Sequence, residues 1–232
     1  MSEVKAKIIK NTQTNRTIES SVSSELLDTL NRIKTPYWSP EEPRIKREPY
    51  DVPQAWMNNV LSKCLISIGY KPEVNPFSNS RPERLLPRSK NTDKSRQAID
   101  FEKFVDGKRH VIEVECGNVA SLYRSIHKIC MAMKEEKNTI GIVIVPSQDL
   151  MKRCEPPSAM STSTSAPIVL SEYEYYAPVA KDIIVIEFEI DELIDLSQIN
   201  SNPSFWKGNW SKRQDRYLEE NLNIFLKNSS DN

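Results

Sequence analysis

Residues 98–134 read AIDFEKFVDGKRHVIEVECGNVASLYRSIHKICMAMK, and the Asp106-Gly107 pair limits what this stretch can become more than any other feature. Asp-Gly between two alternating segments marks a two-residue hairpin turn, because both central positions of that turn need positive φ. With Val105 and Lys108 flanking the turn, counting outward sets Phe104 against Arg109, Glu102 against Val111 and Asp100 against Glu113. Directly opposed side chains lie about 4.5–5.5 Å apart at Cβ, and like charges so placed repel. Alternation puts Glu115 on the face of Glu113, about 6.6 Å along the strand. Phe101, Val105, Ile112 and Val114 form the opposite, core-facing side. Three carboxylates therefore gather at the end of a hairpin whose back is buried. A divalent cation with oxygen ligands is the simplest relief for their repulsion.

A Glu-x-Glu on a strand is by itself more often a solvated face than a site. Glu187-Phe188-Glu189 supplies the comparison. It lacks a tight hairpin with an Asp opposite, no basic helix follows it, and it reads as a solvated strand face. The first copy has both extras. After Glu115, Cys116-Gly117-Asn118 breaks the strand and Asn118 can cap a helix. From Val119 to Lys134 the apolar residues Leu122, Ile126, Ile129, Cys130 and Met133 recur at helical spacing. The polar stripe carries Ser121, Arg124 and Lys128, with His127 beside them. A helix start with free N–H groups suits phosphate, and such a helix can enter a major groove.

Taken together, Asp100, the hairpin, Glu113-Val114-Glu115-Cys116-Gly117-Asn118 and the Arg124-Ser125 step resemble the catalytic core of the BamHI family of restriction endonucleases. That family has an Asp, a Glu-x-Glu, a Gly-Asn and an Arg-Ser step in the same order. The likeness spans about residues 98–151 and is looser to the BglII and BstYI enzymes, where a Gln replaces the second Glu. All belong to the wider PD-(D/E)xK nuclease superfamily. The resemblance implies a type II restriction endonuclease that hydrolyses double-stranded DNA with Mg²⁺ at a short palindromic site. It also implies a homodimer packed partly through the helix after the Glu-x-Glu. A cognate DNA methyltransferase would belong to the same system without direct contact.

On this reading Asp100 and Glu113 hold Mg²⁺ together with the main-chain carbonyl of Val114. Glu115 stands where most of the superfamily has a lysine, so it is a general base or a further metal ligand. Asn118, Ser121, Arg124, Lys128 and Arg153 face the DNA. Ala120 replaces a family Ser, so the sequence recognised can differ. Glu73 or Glu83 could supply the further acid that the family draws from upstream. Two other readings use the same residues: a repair or junction nuclease that cuts by DNA structure, and a DNA-binding protein without activity.

The 232 residues carry 32 basic and 32 acidic side chains, a balance that argues against a general nucleic-acid coat. Charge is uneven: residues 71–96 hold seven Lys or Arg against three acids, while 172–195 is acidic. Cys64, Cys116, Cys130 and Cys154 lack paired spacing and read as reduced thiols of a cytoplasmic protein. No run is apolar enough for a leader peptide or a membrane span. The expected fold is α/β, a mixed central sheet flanked by helices, with a flexible arm over 1–20 and a single nuclease domain over 21–232.

Along the chain, Ser24–Ile33 has a short amphipathic pattern. A helix capped by Asp51, with Pro53 in its first turn, carries Trp56, Val60, Cys64 and Ile68 and stops at Gly69. Residues 71–97 read as a long basic loop. Thr139–Val145 is a fully buried strand, paired in parallel through a helical crossover. A short helix over 147–154, a mobile Ser/Thr/Pro-rich loop over 155–166, a strand over 182–190 and a charged helix over 206–227 complete the expectation.

Overall fold

The computed structural model describes residues 6–10, 24–38, 52–74, 98–116, 119–155, 162–189, 192–206 and 210–227. The first half comprises β1 (Ala6–Lys10), α1 (Ser24–Arg32), β2 (Thr35–Tyr37), β3 (Val52–Pro53), α2 (Gln54–Ser67), β4 (Lys71–Val74), β5 (Ile99–Val105) and β6 (Lys108–Val114). Then come α3 (Val119–Glu135), β7 (Thr139–Pro146), α4 (Gln148–Arg153), β8 (Cys154–Glu155), α5 (Thr162–Glu174), β9 (Ile184–Phe188) and β10 (Leu193–Asp195). Three helices, α6 (Leu196–Ile199), α7 (Pro203–Trp206) and α8 (Lys212–Asn221), and a 3₁₀ turn at Leu222–Phe225 close the described chain.

Six strands form one mixed sheet in the order β1-β9-β7-β6-β5-β4. β7 runs parallel to both β6 and β9, while β1, β4 and β5 join antiparallel. The β5–β6 hairpin has the register that the turn requires, from Val105 opposite Lys108 to Phe101 opposite Ile112. Asp106 and Gly107 take φ of 49° and 73°, the double positive φ of the turn type that Asp-Gly favours. The β6–α3–β7 unit gives the parallel pairing expected of strand, helix, strand.

Each face of the sheet buries its own cluster. On one face Phe101, Ile112, Ile142, Ile144 and Ile186 pack with residues of α1, α2, α7 and α8. Trp56 is fully buried there, its ring 4.6 Å from Trp206, 4.7 Å from Trp210 and 5.8 Å from Phe225, centroid to centroid. On the other face Val111, Val143, Val145 and Val185 meet Leu122, Ile126 and Ile129 of α3 and Ala166, Val169 and Leu170 of α5. Gly141 lets α3 lie close on β7: a Cβ there would stand 2.8 Å from Met133 Sδ, with Ile129 Cγ2 nearer still.

The structure corrects several expectations. Ala6–Lys10 lies within the stretch expected to be a flexible arm, yet it is the edge strand paired with β9. The start of the expected 71–97 loop is β4, paired with β5; residues 75–97 lie outside the described chain. Pro53 occupies the N-cap of α2 rather than its first turn, and Asp51 is outside the described residues. α5 begins inside the expected 155–166 loop. The C-terminal segment is not one helix: it breaks into α7, α8 and a 3₁₀ turn at Leu222–Phe225, with Ser211 and Gln214 forming a capping box at α8. Glu187 and Glu189 are half-buried rather than fully solvated.

Candidate active site

The hairpin carries the acids to the place where its ladder ends. Beyond the Phe101–Ile112 pair, side chains take over from backbone partners. The Asp100 N–H donates to Glu113 Oε1 at 3.1 Å, and the Val114 N–H donates to Asp100 Oδ2 at 2.9 Å. These reciprocal bonds hold the two carboxylates together, as the register requires. Alternation puts Val111, Glu113 and Glu115 on one face of β6, and that face lies under α3 rather than open to solvent. Glu113 is 1% exposed and Glu115 7%.

α3 is built to receive them. Leu122, Ile126 and Ile129 fix the helix on the sheet, and Ser125 and Lys128, three residues apart, share a side of it. Ser125 Oγ donates to Glu115 Oε2 at 3.0 Å. Lys128 Nζ forms an ion pair with Glu113 Oε2 at 2.5 Å and donates to the Ala98 carbonyl at 2.9 Å. Lys128 is only 8% exposed. It therefore turns inward to the acids instead of lying on the DNA-facing stripe where the helical spacing put it. Burial, and then the Asp100 carboxylate, push Glu113 up to about 7, while Lys128 and the Ser125 hydroxyl oppose the rise. Even with an ammonium in contact, burial and the neighbouring carboxylate still favour the neutral form of Glu113.

The fit to a metal is that of a carboxylate pair. Asp100 and Glu113 give hard oxygen donors on one face, which suit a divalent cation such as Mg²⁺. The expected crowd of three carboxylates is not assembled. Among the described residues no group of three or more His, Cys, Asp or Glu side chains is arranged to hold a metal ion, and Glu115 is engaged by Ser125. The Asp100–Glu113 repulsion is met here by Lys128 and two main-chain N–H groups.

Of the remaining expected contacts, Arg124 and Ala120 are exposed on α3 and Ser121 is half-buried. Arg153 ends α4, with its side chain outside the described residues, as are Asn118 and Glu83. Glu73 lies on β4, and its side chain is likewise not described. Cys64, Cys116 and Cys130 are buried and lie outside any disulfide. The apolar face of α3 packs inside the chain, against the sheet and α5. Sequence reading missed the roles of Ser125 and Lys128, although a Ser and a Lys spaced i, i+3 opposite a Glu-x-Glu spaced i, i+2 was the available signal. No described helix is long and apolar enough to cross a membrane.

Comparison with known proteins agrees with the geometry. The type II restriction enzyme OkrAI of Oceanobacter kriegii is 38% identical over 52 residues, which cover 22% of this chain and 27% of that protein. The chain thus spans about a quarter of the length of the curated relative it matches. The model of the restriction endonuclease BamHI family matches residues 5–191. That match runs from β1 through β9 and takes in the whole sheet on which the acids stand; the chain belongs to the BamHI restriction endonuclease family.

Proposed function

We propose that the protein is a type II restriction endonuclease that hydrolyses both strands of DNA at a short palindromic site with Mg²⁺. The observation that carries this is the Asp100–Glu113 pair at the end of the hairpin, its carboxylates held by the main-chain N–H groups of Asp100 and Val114. Asp100 and Glu113 would hold the cation with the Val114 carbonyl. When bound, such a cation polarises the scissile phosphate, lowers the pKa of attacking water and steadies the leaving oxygen. Glu115, oriented by Ser125, takes a proton from the attacking water or serves a second cation. Arg124, exposed on α3, would contact a phosphate or a base edge, with Asn118, Ser121 and Arg153 as its companions.

A palindromic site calls for two-fold symmetry, so the working form is a homodimer. With the apolar face of α3 buried, its outer side and the exposed Ile168, Tyr175 and Tyr176 of the α5 region offer a surface for a second copy. A DNA methyltransferase acting on the same sequence would complete the system without touching this protein.

The test is a plasmid digest in Mg²⁺ read by end sequencing. Discrete fragments with one terminal sequence are expected from the wild type. Asp100→Asn and Glu113→Gln should abolish cleavage while leaving the fold and DNA binding intact. Cleavage by either variant at a near-normal rate would refute the assignment. Cutting only at branched or damaged DNA, without discrete fragments from intact plasmid, would favour a structure-specific nuclease instead.

A further inference from the structure

A buried lysine in contact with the carboxylate meant to bind a metal needs an explanation. Lys128 reaches Glu113 Oε2 at 2.5 Å from α3 and has a second acceptor in the Ala98 carbonyl at 2.9 Å. Glu113 Oε1 is turned the other way, to the Asp100 N–H. The ammonium thus sits on the oxygen of Glu113 that the main chain leaves to it. Two carboxylates side by side in a water-poor pocket would otherwise force apart or lose a charge. Lysine suits a place that must be vacated: its charge is compact, its four-carbon stem is flexible, and it makes no rigid two-point clasp on a carboxylate as arginine does. The Ala98 carbonyl remains as an acceptor when the contact with Glu113 is released, so the ammonium need only pivot.

We propose that Lys128 is the built-in counter-cation of the metal-free site, and that a divalent cation loads by exchanging with its ammonium at Glu113. Lys128 is then a positioning residue. It keeps Glu113 in register with Asp100 before loading and sets how much cation is needed to load the site. This rests on the metal-dependent reading above and adds to it a competitor supplied by the chain itself. The exchange makes a counter-intuitive demand: removing a buried, ion-paired lysine must strengthen cation binding. A lysine that only supports the fold would, when removed, weaken it.

The experiment is calorimetric titration of the full chain with Mn²⁺ in the absence of DNA, with thermal unfolding followed with and without the cation. Mn²⁺ should bind Lys128→Met at least about tenfold more tightly than the wild type, because a positive charge next to a dication has been removed. Lys128→Met should also lose thermal stability in chelator and regain it on adding Mn²⁺, a larger metal-induced shift than in the wild type. Lys128→Arg, which keeps the charge, should return the affinity to the wild-type value or below. Lys128→Gln, uncharged but able to donate a hydrogen bond, should behave like Lys128→Met. Equal or weaker Mn²⁺ binding by Lys128→Met and Lys128→Gln overturns the exchange. So does failure of both to fold in saturating Mn²⁺, since the cation would then be unable to take the place of the ammonium. If no Mn²⁺ binds the wild type or Lys128→Met, or if Asp100→Asn leaves binding unchanged, the metal-site reading itself fails.

Discussion

The Glu113 carboxyl makes the pH dependence of stability a direct probe of the site. Burial, followed by the Asp100 charge, raises it from 4.5 to about 7 in the folded chain. Between those values the folded state holds a proton that the unfolded state has released. The stability linked to that proton is fully present below about 4.5 and is lost as pH rises through 7. A unit of pKa is worth about 1.4 kcal/mol, so the displacement corresponds to roughly 3 kcal/mol. Glu113→Gln is neutral throughout and lacks this dependence, while keeping the size of the side chain. In chelator, the variant should match the wild type closely near pH 5 and exceed its unfolding free energy by roughly 2–3 kcal/mol near pH 8. The assay is denaturant unfolding of both proteins at matched pH values. Parallel stability profiles for the two, or a wild type that gains on the variant as pH rises, would refute the argument. A positive result would show an acid kept ionised at the expense of stability, as functional groups often are.

Other outcomes follow from the same geometry. Glu115→Lys should lower plasmid cleavage by at least 10²–10⁴-fold, as expected for lost acid–base assistance, and wild-type turnover would make Glu115 a bystander. Ser125→Ala, which frees Glu115 from its hydroxyl partner, should cost about 10–100-fold in the same assay with little change in DNA affinity. Gly141→Ala should destabilise the chain by about 1–3 kcal/mol through overpacking of α3 on β7, measured by thermal or denaturant unfolding. Light scattering at micromolar concentration should give the mass of a dimer; a monomer both free and on its DNA would exclude the two-fold arrangement.

The hairpin was legible because its turn chemistry is local: Asp106-Gly107 sets the register, and the register alone brings Asp100 to Glu113. The buried strand Thr139–Pro146 was legible for a similar reason, being apolar without interruption. α5 was hidden because its start is rich in Ser and Thr and it contains Pro167. The spacing of Ala166, Val169, Leu170 and Tyr173 was nevertheless helical. β1 was hidden because a five-residue edge strand within a largely polar stretch owes its existence to β9, a partner about 180 residues away in the chain. Lys128 was misplaced for a different reason. Helical periodicity assigns it to a polar stripe, but says nothing of whether that stripe meets water or a buried carboxylate. Only the packing of α3 over β6 decides this.

The reciprocal bonds at the end of the hairpin have a spectroscopic consequence. The amides of Asp100 and Val114 donate to the very carboxylates that a cation would claim. Their hydrogen-exchange rates are therefore tied to the state of the acids, while amides deeper in the β5–β6 ladder, held by backbone carbonyls, are not. Two backbone protons would report site loading in a protein that has never met DNA, with their neighbours at Phe101 and Ile112 as an internal standard.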